Sequence, residues 1–557
     1  MIELGLQRIS RLLATTSMPW RAIHVAGTNG KGSICAYTSA MLDVYNQSKY
    51  REHTGQPALR HGRYTSPHLI DRWDCITVNQ KTVPWKLFDY IETRVKRRDQ
   101  QEEIHASEFE LLTATAFEIF SHEELDIAVV EVGMGGRLDA TNILGEPLEA
   151  SGTRSDLSRC SRPRPLVTAI AKIGLDHQGF LGNTIEEIAK EKAGIMKPDV
   201  PVVWDESNHP AALRILEQTA RDNRAMYCQV PKWIPDLDVL LQGSNSHHAL
   251  SSDVRKISDH ALRNLESAFR ATWSALQQLD RLSTGAHHSS REQDILVELA
   301  EDMVKNAAGV TFAGRQQQID LAPLIGRPKT ILFDGAHNEQ SAQALANCVD
   351  TQLRHSARSP SAQPVTWIIA ASDSKDIREL LAPLLKGGDV VFAVEFGHVD
   401  GMPWVKAMPA AQIVETVRVL AQERGEVIET HESGSRLLDA IRTASLQAGD
   451  HGPLVIAGSL YLVGDTMRLL RDHQDPSTES VELQAQLSLP IACRVSFSAS
   501  RAVLWRAYSR STSFASALPG LATQGPASSG KGMLHGALRY NSNNTTTGTP
   551  DGTSRLH

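Results

Sequence analysis

The sequence predicts an α/β protein with mainly parallel sheets, on two observations. Short β-branched runs alternate with helix-like runs from the N-terminal part onward, and the alternation restarts past residue 307. At 557 residues the chain is too long for one compact core, so two such units are expected, at 1–307 and 308–473. A third segment, 474–557, is rich in Ser, Thr, Gly and Asn and poor in charge; it is expected to be disordered.

In the first unit, strands are expected at 22–26, 126–132, 166–173 and 200–204. Helices are expected directly after Lys31, at 108–120 and at 184–196, where Thr184 reads as an N-cap with Glu187 as its capping-box partner. Glu187, Lys190 and Glu191 then form a solvated charged face. Residues 145–165, rich in Ser, Arg and Pro, read as a solvent-exposed insertion, and 243–294 as a polar, weakly patterned stretch. In the second unit, strands are expected at 330–333, 365–371, 390–395 and 454–457, with helices at 338–350 and 436–447 between them. The junction falls at 307–314.

Composition narrows the function. The chain is 41% apolar and 22% charged, with no uninterrupted apolar run of bilayer length. A formal charge of −7 argues against nucleic acid or an anionic membrane as partner. The start MIELGLQRIS has neither a secretory nor a transit pattern, and six scattered cysteines without a C-x-x-C pair read as reduced thiols. A cytoplasmic, monomeric enzyme acting on small molecules is expected, with a mitochondrial pool as the alternative.

One stretch points to nucleotide chemistry. In HVAGTNGKGSICAY a strand runs into Gly27-Thr28-Asn29-Gly30-Lys31-Gly32-Ser33 and then a helix. Glycines let successive N–H groups point at an anion, and the helix adds its positive end. Lys31 would neutralise β- and γ-phosphate charge, and the Ser33 hydroxyl would sit where magnesium needs oxygen. The spacing departs from the usual phosphate loop because Gly32 separates Lys31 from Ser33. The plain alternative is a Gly-rich turn with an exposed lysine. A second GKG, in SSGKGM at 528–533, has no preceding strand and no following hydroxyl, and is set aside.

Other candidates fall at strand ends, where open α/β sheets hold ligands. Glu131, in EVGMGGRLDATN, could bind magnesium or instead pair with Arg137. Asp176 and His177 follow another strand, and a neutral imidazole there could ligate a second metal. Ser66 lies in the turn-prone YTSPHL. In FDGAHN, Asp334 could bond a ribose hydroxyl or cap the next helix, and His337 could meet a base. Arg315, in AGRQQ at the junction, could meet phosphates across a cleft. Spacing alone does not mark Lys192.

HVAGTNGKGS, YTSPHL, EVGMGGRLDATN, GLDHQGFLGNTIEEIAKEKAGIMK, DGAHN and GSLYLVG, in this order over residues 2–473, resemble the folylpolyglutamate synthase/dihydrofolate synthase family of Mur-ligase-like, ATP-dependent amide ligases. The resemblance implies a three-layer phosphate-loop ATPase domain, a smaller Rossmann-like C-terminal domain, and ATP with Mg2+. It implies that Lys31 and the loop amides hold the triphosphate. Ser33, Ser66 and Glu131 match ligands of one magnesium; Glu131, His177 and Lys192, the last as a carbamate, match ligands of a second. Arg315, Asp334 and His337 match residues that contact ATP. The implied reaction forms an acyl phosphate that the amine of L-glutamate then opens. The family commonly has Pro where Ala313 stands here. The short start MIELGLQRISRLL and YTSPHLIDRWDCITVN are more similar to fungal dihydrofolate synthases than to folylpolyglutamate synthases, which makes dihydropteroate the expected acceptor. Folylpolyglutamate synthesis, a bifunctional enzyme and an inactive nucleotide-binding regulator are the alternatives.

Overall fold

Residues 4–146, 162–242, 258–283, 289–355 and 362–474 are described in the computed structural model of the chain. They belong to one compact unit that holds two sheets. The first contains β1 (Arg21–Ala26), β2 (His61–Tyr64), β3 (Ile76–Val78), β4 (Lys81–Thr82), β5 (Ile127–Glu131), β6 (Val167–Ile170) and β7 (Val202–Trp204), in the order β4-β3-β2-β5-β1-β6-β7. β3 and β4 are antiparallel additions to a parallel sheet. Alternation along β1 makes three layers. Ile23 and Val25 face helices Lys31–Gln47, Asp259–Gln278 and Ser290–Ala308, while Ala22 and Ala26 face helices on the opposite side.

The second sheet contains β8 (Gln317–Ile319), β9 (Ile331–Asp334), β10 (Thr366–Ile369), β11 (Val390–Val394), β12 (Glu429–Gly434) and β13 (Leu454–Ala457), in the order β12-β11-β10-β13-β9-β8. Only β8 runs antiparallel to its neighbour. Trp367 and Ile369 pack into one helical layer and Ile368 into the other, the doubly wound arrangement.

The expected strands form, with shifted ends. The run 166–173 pairs only as far as Ile170, because the backbone beyond it turns to serve the phosphate loop: the Lys172 carbonyl accepts the N–H groups of Thr28 and Asn29. β2, β3, β4, β8 and β12 were not expected, being short or polar, as QQI and ETHESG show. The weakly patterned stretch 243–294 contains the 20-residue helix Asp259–Gln278; its buried face mixes Asn264, Ser267, Thr272 and Ser274 with apolar residues, which blunts the apolar period. The described ends of the insertion expected at 145–165 mix exposed residues such as Arg164 with anchored ones. Arg162 is buried and donates to the carbonyl and hydroxyl of Ser10, and Glu146 pairs with Lys197. Its middle, the segment after 474 and the motif at 528–533 lie outside the described residues. The capping box of Thr184 and Glu187 forms as expected.

Candidate active site

The glycine-rich loop expected to hold phosphate leaves β1 at Gly27 and enters the helix Lys31–Gln47 at Gly30. Gly30 is required: its φ is 95°, and a Cβ would lie 2.3 Å from the Asn264 side-chain oxygen. The amides of Thr28 and Asn29 are already engaged by Lys172, at 2.8 and 3.1 Å. The N–H groups open to an anion are therefore those of the helix's first turn, at Lys31, Gly32 and Ser33, which have no intrahelical acceptor.

Glu131, the last residue of β5, is buried beside this turn. Its carboxylate lies 3.9 Å from the Lys31 ammonium and accepts the Ser66 N–H at 3.2 Å. Burial pushes the carboxyl pKa up, against the pull of Lys31, the Ser66 amide and Arg315. Arg137, the alternative partner, instead binds Glu191 at 3.0 Å. The Ser66 loop is held by Asp74, which accepts the N–H groups of Leu69, Ile70 and Asp71.

Lys192 is buried on the helix Ile185–Ala193 and donates to the Gly27 carbonyl at 2.8 Å. Burial and the nearby Lys31 lower its ammonium to about 7, so a neutral amine is accessible near neutral pH. His177 sits in the left-handed region, φ 53°, with its imidazole 3.9 Å from Asp176. Partial desolvation of this incompletely buried ring, with Lys375, Lys31 and Lys192 nearby, lowers its pKa to about 4 against the pull of Asp176.

From the second sheet, Asp334 at the end of β9 is buried and accepts the N–H groups of Gln316 and Ala336, at 2.8 and 2.7 Å. Burial pushes its carboxyl pKa up while Arg315 pulls it down. It does not cap the following helix; Asn338 does. The His337 ring bonds the Gly335 carbonyl at 2.9 Å and lies 3.8 Å from Asp176. Lys375 reaches Asp176 at 2.6 Å. Against the cost of burial, His177, Lys375 and His337 hold the Asp176 carboxyl well below the usual carboxylate range. The loops of both sheets thus meet over the phosphate loop.

Among the described residues no three His, Cys, Asp or Glu side chains converge as a metal cage. The donor chemistry nonetheless suits a hard cation held partly by phosphates. Ser33 and Ser66 carry hydroxyls and Glu131 a desolvated carboxylate, all beside the phosphate loop.

Comparison with known proteins adds the lineage. The family described as dihydrofolate synthetase, C-terminal domain, matches residues 317–469. A probable dihydrofolate synthetase of Schizosaccharomyces pombe is 35% identical over 84% of this chain and 99% of its own length. The chain belongs to the dihydrofolate synthase/folylpolyglutamate synthase family. The dihydrofolate synthetase of Saccharomyces cerevisiae is 31% identical over 85% of this chain and 99% of its own. Among solved structures, a folylpolyglutamate synthase of Mycobacterium tuberculosis complexed with ADP and AMPPCP superposes with a TM-score of 0.58 at 26% identity, covering 84% of this chain and 95% of that one.

Within this family member, sequence reasoning passed over several residues that the fold brings to the site. Lys375, Asn338 and Gln340 arrive from the second sheet, and nothing in their local spacing announces it. Asn264 packs on Gly30 from the helix inside the weakly patterned stretch. Arg63, on β2, is close enough to pull the Glu131 carboxyl down, yet its buried Nε has no hydrogen-bond partner among the described residues. A cation at a strand end beside YTSPHL was the available signal for Arg63.

Proposed function

We propose that the chain is an ATP-dependent carboxylate–amine ligase that joins L-glutamate to 7,8-dihydropteroate, making dihydrofolate. The observation that carries the chemistry is the buried Glu131 carboxylate beside Lys31 and the open first-turn amides of the phosphate loop. The choice of acceptor is supported by the two fungal relatives, both dihydrofolate synthetases matched over nearly their full length. ATP as the nucleotide is supported by the ADP and AMPPCP in the related mycobacterial structure.

The substrate carboxylate attacks the γ-phosphorus of ATP, ADP leaves, and an acyl phosphate results. The glutamate amine then attacks the activated carbonyl, loses a proton, and phosphate departs. Lys31 and the first-turn amides hold the β- and γ-phosphates and meet charge that builds up on them. Arg315 adds positive charge from the second sheet, while Asp334 and His337 serve the nucleoside side. The junction of the two sheets brings the reactants together and keeps water from the acyl phosphate.

Ser33, Ser66 and Glu131 would hold one magnesium. Glu131 and His177 would hold a second, with Lys192 as a carbamate supplying the further acidic ligand that a two-residue site lacks. These ions would neutralise charge on the phosphates. The low basicity of Lys192 favours that modification, which needs an unprotonated amine. The passage between sheets at 309–316 supports 1–307 as the ATP-binding part and 308–473 as the smaller part. A cytoplasmic monomer is the setting of this reading; among the described residues no helix is long and apolar enough to cross a membrane. Fractionation and gel filtration test it.

The deciding experiment offers purified protein 7,8-dihydropteroate and tetrahydrofolate separately, each with ATP, magnesium and labelled glutamate. Incorporation with dihydropteroate is expected. Incorporation only with tetrahydrofolate replaces this acceptor by a folate, and ATP binding without turnover on either acceptor leaves a nucleotide-binding protein.

A further inference from the structure

The phosphate loop is secured from two sides, and only one belongs to its own sheet. Below, Lys172 takes the amides of Thr28 and Asn29, and Gly174 exchanges hydrogen bonds with the Thr28 hydroxyl at 3.0 and 3.1 Å. Above, the Asn29 side chain donates to the Gln340 side-chain oxygen at 2.6 Å and to that of Asn338 at 3.3 Å. The same Gln340 oxygen rests against Gly174, where a Cβ would come within 3.0 Å of it.

Gln340 and Asn338 lie on the first turn of the helix Glu339–Val349, whose cap is rigid. The Asn338 oxygen accepts the Ser341 N–H at 2.9 Å, and the Ser341 hydroxyl donates back to Asn338 at 2.8 Å. From this cap the Asn338 amide also reaches Asp176 at 3.4 Å, beside His177. One small, stiff element of the second sheet therefore touches both the phosphate loop and the histidine loop of the first. Displacing it moves both.

We infer that Gln340 is a positioning residue for phosphoryl transfer, acting through Asn29 to set the phosphate loop when the second sheet is docked. It touches no phosphate in this assignment, which rests on the ligase reading above. Removing its oxygen leaves Lys31, Ser33 and the first-turn amides in place to bind nucleotide, but leaves Asn29 held from above only by its longer contacts with Asn338, at 3.3 and 3.4 Å. A loop more weakly held from above binds the triphosphate yet holds the γ-phosphate less well for in-line attack, an effect on turnover rather than on binding.

Gln340→Met keeps length and removes the acceptor; Gln340→Glu keeps the acceptor oxygen. In the full chain with saturating substrates, Gln340→Met is expected to lower kcat roughly tenfold with ADP affinity changed less than about twofold, and Gln340→Glu to recover most of kcat. Hydrogen exchange of residues 27–33, in protein saturated with AMPPNP and magnesium, is expected to speed up in Gln340→Met and not in Gln340→Glu. That readout needs no ligase turnover, so failure of the substrate assignment is distinguishable from failure of this role. Unchanged exchange in Gln340→Met, a Gln340→Glu variant as slow as Gln340→Met, or a loss of ADP affinity that matches the loss of kcat overturns the inference.

Discussion

The carboxyl edges of the two sheets each bury a carboxylate, Glu131 and Asp334, but they differ in the other polar groups set beside it. At the first, Glu131 and Lys192 are sunk into the protein, and burial moves each toward its neutral form. Their partners are local to that sheet: Lys31, the Ser66 amide and the Gly27 carbonyl. At the second, Lys375 and Gln340 are incompletely buried, and their partners lie across the junction, on Asp176 and Asn29. On the proposed ligase reading, the first edge holds a carboxylate whose charge is compensated further when phosphates and metal bind. The second supplies contacts that exist only when the sheets meet.

The largest effect is expected where the carboxylate charge is removed. Glu131→Gln keeps shape and the contact with Ser66 but loses the negative charge a cation needs. Magnesium-dependent ADP formation should fall by about 10² to 10³ while the thermal midpoint stays close to the parent's. A variant with near-parental turnover would remove Glu131 from the metal site and erase the contrast between the edges.

Next comes the contact through which the second half holds the Ser66 loop. Gly464, on the helix Leu460–Gln474, lies so close that a Cβ would sit 2.0 Å from the Leu69 carbonyl oxygen. From the same helix, Arg468 binds the Ile70 carbonyl and Arg471 binds Asp71, each at 2.6 Å. Gly464→Ala must push loop and helix apart, at a cost of about 1–3 kcal/mol by denaturant titration, with a loss of turnover as Ser66 shifts. Turnover unchanged despite lowered stability would mean that the loop's position is set entirely within the first sheet.

The same contrast explains what the sequence disclosed. The glycine-rich turn between β1 and its helix, the strand-end position of Glu131 and the capping box of Thr184 were legible because contiguous residues form each of them, so spacing carries the information. Lys192 was not legible from spacing: its lowered basicity comes from burial beside Lys31, which no local pattern expresses. The strand alternation was legible, whereas β8 and β12 were not, since QQI and ETHESG are strands through their neighbours rather than through propensity. Gln340, on the first turn of a helix, and Lys375, in a bend, are polar residues in polar surroundings, and their meaning appears only with the second sheet in place.

A smaller effect tests the burial of Lys192 directly. Its folded pKa of about 7 lies below the ordinary lysine value of about 10.4. Between these values the unfolded chain holds the proton and the folded chain does not, so this group makes stability rise with pH across that window. Lys192→Met should flatten the rise in the urea midpoint between pH 7 and pH 9, in buffer free of carbon dioxide. A variant with the parent's slope would assign the rise to another group and leave Lys192 charged.

The smallest effect is expected at Arg137, and its smallness is informative. Sequence alone allowed Arg137 to neutralise Glu131, which would have made the first edge an ordinary ion pair. Instead its guanidinium, half exposed, binds Glu191, so it does nothing to compensate Glu131. Exposed pairs of this kind contribute up to about 1 kcal/mol, and alanine keeps the Cβ that packs on Gly194. Arg137→Ala should therefore change stability by less than about 1 kcal/mol and leave the magnesium dependence of turnover unaltered. If the variant instead needed markedly less magnesium, Arg137 would be competing with the metal for Glu131, as a further protein partner of that carboxylate beside Lys31.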